Sequence, residues 1–477
     1  MLFDTPAYIL FLTAVVILYW RLAWRAQNVF LLVASYFFYA WWDWRFLGLI
    51  LLSTVVDYYC SHIVDRSQDA LKRKAALTLS VVLNLAFLGV FKYFNFFIDS
   101  FASLMKTIGV DVPHSTLRIL LPPGISFYTF QALAYIVDVY FRRLKPASSL
   151  VDYALFISLF PHLIAGPIQR PSHLLPQVQK PRLFDSSKFF DGLQLIISGL
   201  FRKVVVADNC ALLANAAFNG ALGEPSLPVV AIGVYAFAWQ IYGDFSGYSD
   251  IARGSAQLLG FHFMVNFRQP YLSQSLQEFW RRWHISLSTW LRDYLYISLG
   301  GSRYGERKTY RNLMLTMLIG GLWHGANWTF VVWGAIHGVG LAIERFLRSI
   351  VPGLQGSEDR IPSYDASLQA WFRRVFVFHL VCLSWIFFRA PSFGDAFSFL
   401  GGVGRFAWVP EYATALVFLA AAALPMFCID YLNERRGEEY VLARTSYPTR
   451  IAVGMSLLVA TLLFAGSSTN AFIYFQF

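Results

Sequence analysis

The chain alternates long apolar stretches with short polar ones. The apolar runs are Ala7–Trp20, Val29–Trp42, Phe46–Val56, Ala75–Phe91, Ile119–Phe141, Leu227–Tyr242, Leu313–Ile343, Val375–Phe388, Ala413–Ile429 and Ile451–Ala465. Apolar helices of about 17–25 residues cross a bilayer. Several runs are shorter, so their ends must reach into polar flanks or re-enter the membrane, and we expect about 10–13 crossings by that length criterion. The pattern changes over "EFWRRWHISLSTWLRDYLYISLGG", Glu278–Gly301. There Trp280, Trp283, Leu287, Trp290, Leu291 and Tyr294 recur at helical spacing, with Arg281, Arg282, Arg292 and Asp293 largely on the other side. This predicts an amphipathic helix lying in the interface or dipping into the membrane.

Composition excludes a soluble fold. Of the 477 residues, 57% are hydrophobic and only 14% charged, against roughly 25% charged in soluble domains. A soluble chain of this length has too little polar cover for so much apolar surface. Aromatic residues make up 18%, and clusters such as "WWDW" at Trp41–Trp44 suit an interfacial belt. The net charge of +11 does not point to nucleic acid, because basic residues follow alternate runs: Arg21 and Arg25, then Lys72–Lys74, then Arg142, Arg143 and Lys145. Counting one crossing per run places these clusters together in the cytoplasm and the N-terminus outside. The first run lacks a small-residue cleavage site and reads as a retained span. Cys60, Cys210, Cys382 and Cys428 are far apart and suggest neither a disulfide framework nor a zinc site. The polar segment Val351–Leu368 reads as a cytoplasmic loop.

The candidate chemistry rests on nine histidines. His62 and His114 sit in polar connecting segments and are expected to be solvated. His379, in "VFVFHLVCL", reads as a core histidine. His337 follows His324 by 13 residues, about 20 Å along one straight helix, so packing or a backbone hydrogen bond is its expected role. His324 differs. No Asp, Glu, Lys or Arg occurs from Asn312 to Ile343, and His324 lies about 20 Å of helix beyond Arg311, near the middle of a hydrocarbon core about 30 Å thick. Ionisable groups at that depth usually face the protein interior or a watery cavity. Gly320, Gly321 and Gly325 leave room for close backbone approach, a local break or a ligand. Trp323 and Trp328 can wall a site, and Asn327 adds a hydrogen-bonding group. The alternative is a structural histidine bonded to a neighbouring helix.

Several blocks resemble one family. "FWRRWHISLSTWLRDYLYISLGG" followed by "GGLWHGANWTFVVWGAIHG" is similar to the paired signature of the membrane-bound O-acyltransferase (MBOAT) superfamily. "LFPHLIAGPIQR" (Leu159–Arg170) and "YGDFSGYSDIA" (Tyr242–Ala252) resemble two further blocks. "WIFFRA" (Trp385–Ala390) and the ending "FIYFQF" (Phe472–Phe477) resemble the bacterial branch that acetylates alginate and other exopolysaccharides, although Ala471 stands where many relatives carry proline. The resemblance implies an all-α polytopic fold: a ring of tilted, re-entrant and interfacial helices around a central tunnel. It is expected to form one integral-membrane domain over 1–477, with N-terminal spans in 1–145, a catalytic core at about 150–345 and C-terminal spans in 370–477.

The resemblance also implies roles. His324 corresponds to the family's invariant histidine, and His284 to the upstream motif position. An acyl transfer needs a deprotonated hydroxyl, a thioester and a stabilised oxyanion. Neutral imidazole suits proton removal near pH 7, and burial disfavours imidazolium, so His324 is expected to be the general base. His284 is expected to orient a reactant or donate to the oxyanion. Arg281 and Arg282 are candidates for the phosphates of an acetyl-CoA donor on the cytoplasmic side, although interfacial arginines ordinarily face headgroups. Trp323, Asn327 and Trp328 are further substrate-binding candidates. No metal or resident cofactor is implied. The expected setting is a bacterial inner membrane, with a periplasmic or membrane-anchored esterase-like partner passing acetyl to an exported polysaccharide such as alginate. D-alanyl or peptidoglycan acyl transfer by the same fold, and secondary transport with His324 in a proton relay, stay open.

Overall fold

A computed structural model describes residues 1–111, 119–164, 166–351, 364–440, 443–464 and 473. Its helices in chain order are α1 (Pro6–Tyr19), α2 (Trp24–Asp43), α3 (Leu47–Arg66), α4 (Ala70–Leu88), α5 (Phe94–Thr107), α6 (Ile125–Tyr140), α7 (Leu150–Ser158), α8 (Phe160–Leu163), α9 (Pro171–Val178) and α10 (Ser186–Leu200). They continue as α11 (Asp208–Phe218), α12 (Leu227–Leu258), α13 (Leu276–Arg282), α14 (Ile285–Trp290), α15 (Glu306–His324), α16 (Trp328–Ile350), α17 (Leu368–Arg389), α18 (Phe393–Gly401), α19 (Pro410–Arg436) and α20 (Tyr447–Phe464). No strand occurs among the described residues. This all-helical make-up follows from the solvent, since a helix satisfies its own backbone in lipid. Six helical stretches are long and apolar enough to cross a membrane: Trp24–Arg66, Ala70–Thr107, Trp328–Ile350, Leu368–Arg389, Pro410–Arg436 and Tyr447–Phe464. The protein is therefore a multi-pass membrane protein.

The helices group into two compact units. The first comprises Met1–Leu193 with Ala252–Met264, the second Gln194–Ile251 with Val265–Phe477. In the first unit a fully buried carboxylate, Asp57 of α3, anchors three helices. It accepts from Ser80 Oγ (2.5 Å) and Asn84 Nδ2 (3.0 and 3.1 Å) of α4, Ser53 Oγ of its own helix (3.1 Å) and Tyr153 Oη of α7 (3.4 Å). A carboxylate deep in an apolar bundle is costly unless such donors surround it.

The second unit departs from two expectations. The run Leu313–Ile343 is not one span. Helix α15 stops at His324, Gly325 is extended (φ −156°, ψ 147°), and Asn327 starts α16 by accepting from Thr329 N (3.0 Å). Asn327 Nδ2 also donates to Pro391 O (3.0 Å). The two helices fold back against each other as a hairpin, whose open end carries the Glu306–Arg345 ion pair (2.9 Å). Contact along the hairpin is backbone to backbone: a Cβ on Gly321 would collide with the Phe330 carbonyl oxygen, and one on Gly334 with that of Met317. Small residues permit this approach. Depth counted along one straight helix therefore does not apply beyond His324.

The amphipathic helix over Glu278–Gly301 is also broken. Helix α13 ends at Arg282 and α14 begins at Ile285, with His284 between them in the left-handed region (φ 44°, ψ 52°). Trp283, His284 and Leu287 are buried rather than interfacial. Two histidines were also misplaced by sequence. His62 belongs to α3 and is half-buried against the Tyr58 ring (4.6 Å), and His379 is exposed and bonded to Tyr235 Oη (2.9 Å). His114, the centre of the Val351–Leu368 segment, Ala471 and most of the C-terminal block lie outside the described residues.

Candidate active site

The break before α14 and the end of α15 bring two buried imidazoles together. The ring centroids of His284 and His324 are 6.2 Å apart, and the residues are 0% and 3% exposed. Aromatic rings wall the pair. Trp323 lies 5.8 Å from His284 and 5.0 Å from His324, Phe245 of α12 meets His284 edge-on at 4.6 Å, and Trp333 and Phe388 approach His324 at 5.1 and 5.5 Å. Trp333 stacks on Trp385 at 5.5 Å. His324 is the last residue of α15, at the end that carries the helix's partial negative charge.

His284 is held by Asn266, whose Oδ1 lies 3.2 Å from Nδ1. Burial lowers the His284 pKa well below the usual imidazole value, which favours the neutral ring. His337 has the packing role expected of it, but its bond is to a side chain: Nε2 lies 3.0 Å from Ser384 Oγ of α17, and the ring packs 4.9 Å from Trp333.

The other candidates divide. Trp323 belongs to the wall. Trp328 is half-exposed at the start of α16, and Asn327 caps that helix. Arg282 is buried in an ion-pair network. Its Nη2 meets Glu278 at 2.7 Å and Glu434 at 2.8 Å, and its Nη1 meets Glu434 at 2.5 Å. Its guanidinium is thus committed to carboxylates of α13 and α19, not presented to solvent or headgroups. Arg281 is half-buried. Sequence reasoning missed Asn266, Phe245, Trp333 and Phe388. Trp333 carried a faint signal, since "NWT" reads as a helix start and a restart would return Trp333 toward His324. For Asn266 and Phe245 no local pattern pointed to the histidines. Among the described residues no cluster of His, Cys, Asp or Glu could hold a metal.

Two buried imidazoles that meet edge-on in an aromatic cage suit removal of a proton from a hydroxyl that attacks an acyl donor. Comparison with known proteins defines the class. The model of the MBOAT, membrane-bound O-acyltransferase, family matches residues 36–372, and the chain belongs to that family. It is 40% identical to the "Probable alginate O-acetylase AlgI" of Azotobacter vinelandii, with all of both chains aligned. It is 35% identical to the peptidoglycan O-acetyltransferase of Helicobacter pylori over 84% of this chain and 80% of that one. The teichoic acid D-alanyltransferase of Streptococcus thermophilus is 30% identical over 52% of this chain and 63% of its own. The protein is thus a membrane O-acyltransferase, and its relatives mark it as an O-acetyltransferase.

Proposed function

We propose that the protein moves acetyl from acetyl-CoA on the cytoplasmic side of a bacterial inner membrane toward the periplasm, for O-acetylation of an exported polysaccharide such as alginate. The observation that carries this reading is the His284–His324 pair in one buried aromatic cage. His324 acts as general base and takes the proton of the acceptor hydroxyl as its oxygen attacks the thioester carbonyl. The carbonyl carbon–sulfur bond then breaks, and the thiolate leaves with the proton that His324 took, which restores the neutral base. The carbonyl dipoles ending α15 favour the imidazolium formed on His324. The buried indole N–H of Trp333 has no acceptor among the described residues and is available to the thioester oxygen. Burial excludes water, which would otherwise hydrolyse the acyl group.

Full-length similarity to a probable alginate O-acetylase favours acetyl over the D-alanyl reading, whose relative aligns with about half of the chain. A periplasmic or membrane-anchored esterase-like partner completes delivery to the polymer. Labelled acetyl-CoA added outside inverted membrane vesicles tests the donor and its side. Label should reach an acceptor inside those vesicles and not inside right-side-out ones. Labelling only from an acylated carrier protein would replace the donor, and labelling of right-side-out vesicles alone would reverse the orientation.

A further inference from the structure

We propose that Asn266 is a positioning residue that fixes His284 in the Nδ1-protonated form, so that His284 enters the reaction through Nε2 as a hydrogen-bond acceptor. The inference rests on the acyl-transfer reading only for its consequence; the Nδ1 proton follows from the hydrogen bonds, and the Nε2 lone pair from them together with the neutral ring that burial favours.

Asn266 grips the break between α13 and α14 at three residues. Its backbone oxygen accepts from Ile285 N (2.9 Å). Its side chain faces Ser286 N (3.3 Å), Ser286 Oγ (2.8 Å) and His284 Nδ1 (3.2 Å) through one atom, and Ser249 Oγ (3.1 Å) through the other. The Ser286 backbone N–H can only donate, so the amide atom facing it is the oxygen. An amide oxygen carries no hydrogen and only accepts. His284 Nδ1, bonded to that same oxygen, must supply the proton. Neutral imidazole has one N–H, so Nε2 presents a lone pair. This chain of donors and acceptors fixes a tautomer that coordinates alone leave open.

The backbone agrees. A left-handed conformation at a residue other than glycine costs about 1–3 kcal/mol and persists where its surroundings hold it. Here the holder is Asn266, which is buried with Ser249 and Ser286. A consequence follows for the chemistry. His284 receives a hydrogen bond, from the acceptor hydroxyl or from the imidazolium formed on His324, and does not donate to the oxyanion.

The test uses the full-length protein in membranes, labelled with 15N-histidine. The His284 signals are obtained by subtracting the spectrum of His284→Gln. A protonated δ nitrogen with a lone-pair ε nitrogen is expected, and the opposite pattern overturns the proposal whatever the protein's activity. Function gives a second reading. Asn266→Asp keeps the acceptor and, by favouring imidazolium, should retain transfer while moving the acid limb of the pH–rate profile to higher pH. An unmoved limb with full activity counts against the proposal. Asn266→Leu should lower turnover at least tenfold with little change in KM, and should cost nothing more on a His284→Ala background. A further tenfold loss there would mean that Asn266 acts independently of His284.

Discussion

Two buried polar groupings in this protein are built on opposite plans. Asp57, in the first unit, is surrounded by donors from Ser53, Ser80, Asn84 and Tyr153. His284 and His324, in the second, are surrounded by the rings of Phe245, Trp323, Trp333 and Phe388. The first plan engages both carboxylate oxygens with donors of its own helix and of two neighbouring ones, and locks the three together. The second buries two nitrogen heterocycles among aromatic rings, with Asn266 holding one of them at Nδ1. A saturated network resists change, whereas an imidazole among rings can exchange a proton with a visiting substrate. In this protein, therefore, the kind of neighbour around a buried ionisable group, hydrogen-bond donor or aromatic ring, separates the two plans.

The largest effect that would break this comparison is at His324. His324→Gln keeps hydrogen-bonding capacity and loses basicity. Acetylation of the exported polymer, normalised to membrane protein, should fall about 10²–10⁴-fold with thermal stability in detergent nearly unchanged. Rescue of activity by Gln, together with lowered stability of His324→Ala, would make His324 a second Asp57.

Arg282→Ala comes next. It leaves Glu278 and Glu434 buried without the cation between them, and breaking such a pair costs about 3–5 kcal/mol. The expected outcome is poor insertion or a large drop in Tm in detergent. Reduced acetyl-CoA affinity with an unchanged Tm would instead return Arg282 to phosphate binding. Arg281→Ala is the cleaner probe of that role, because Arg281 is only half-buried.

The legibility of the molecule followed the range of the signal. Apolar runs placed the long helices α1–α4, α6, α12, α15–α17, α19 and α20, because a span must be apolar along its whole length, whereas α5, α7–α11 and α18 lie outside every run. His324 stood out because no charged residue shares its run. His284 was found through its motif, but its setting was misread. The apolar positions of Glu278–Gly301 fit one helical face, and nothing in them announces that His284 takes a left-handed conformation held by a residue 18 positions earlier. The hairpin was hidden for a similar reason. Gly320, Gly321 and Gly325 were open to a break, a close approach or a ligand, and only the packing of Gly321 on Phe330 and of Gly334 on Met317 selects the first two.

Asp57→Asn probes the saturated plan with a smaller effect. One carboxylate oxygen becomes a donor, so a donor among Ser53, Ser80 and Asn84 loses its acceptor at a cost of about 1–3 kcal/mol. Tm should fall while acetylation per folded molecule is kept. Loss of acetylation at unchanged Tm would place Asp57 in the chemistry and dissolve the contrast between the two groupings.

Asn327 offers the smallest effect and separates two roles for one side chain. Its Oδ1 caps α16 through Thr329 N, and its Nδ2 reaches Pro391 O. As a cap it should tolerate serine, which also accepts from the backbone at that position, and lose about 1 kcal/mol as alanine. As a substrate contact it should tolerate neither, since a shortened side chain misplaces the bond in both. Tm and acetylation measured on Asn327→Ser and Asn327→Ala decide between them. The capping role predicts that Asn327→Ser keeps both quantities near wild type. It predicts that Asn327→Ala lowers Tm by a few degrees and activity only in proportion to folded protein. Full stability with lost acetylation in Asn327→Ser would bring Asn327 back to the substrate, and would add a second amide side chain beside Asn266 to the aromatic cage.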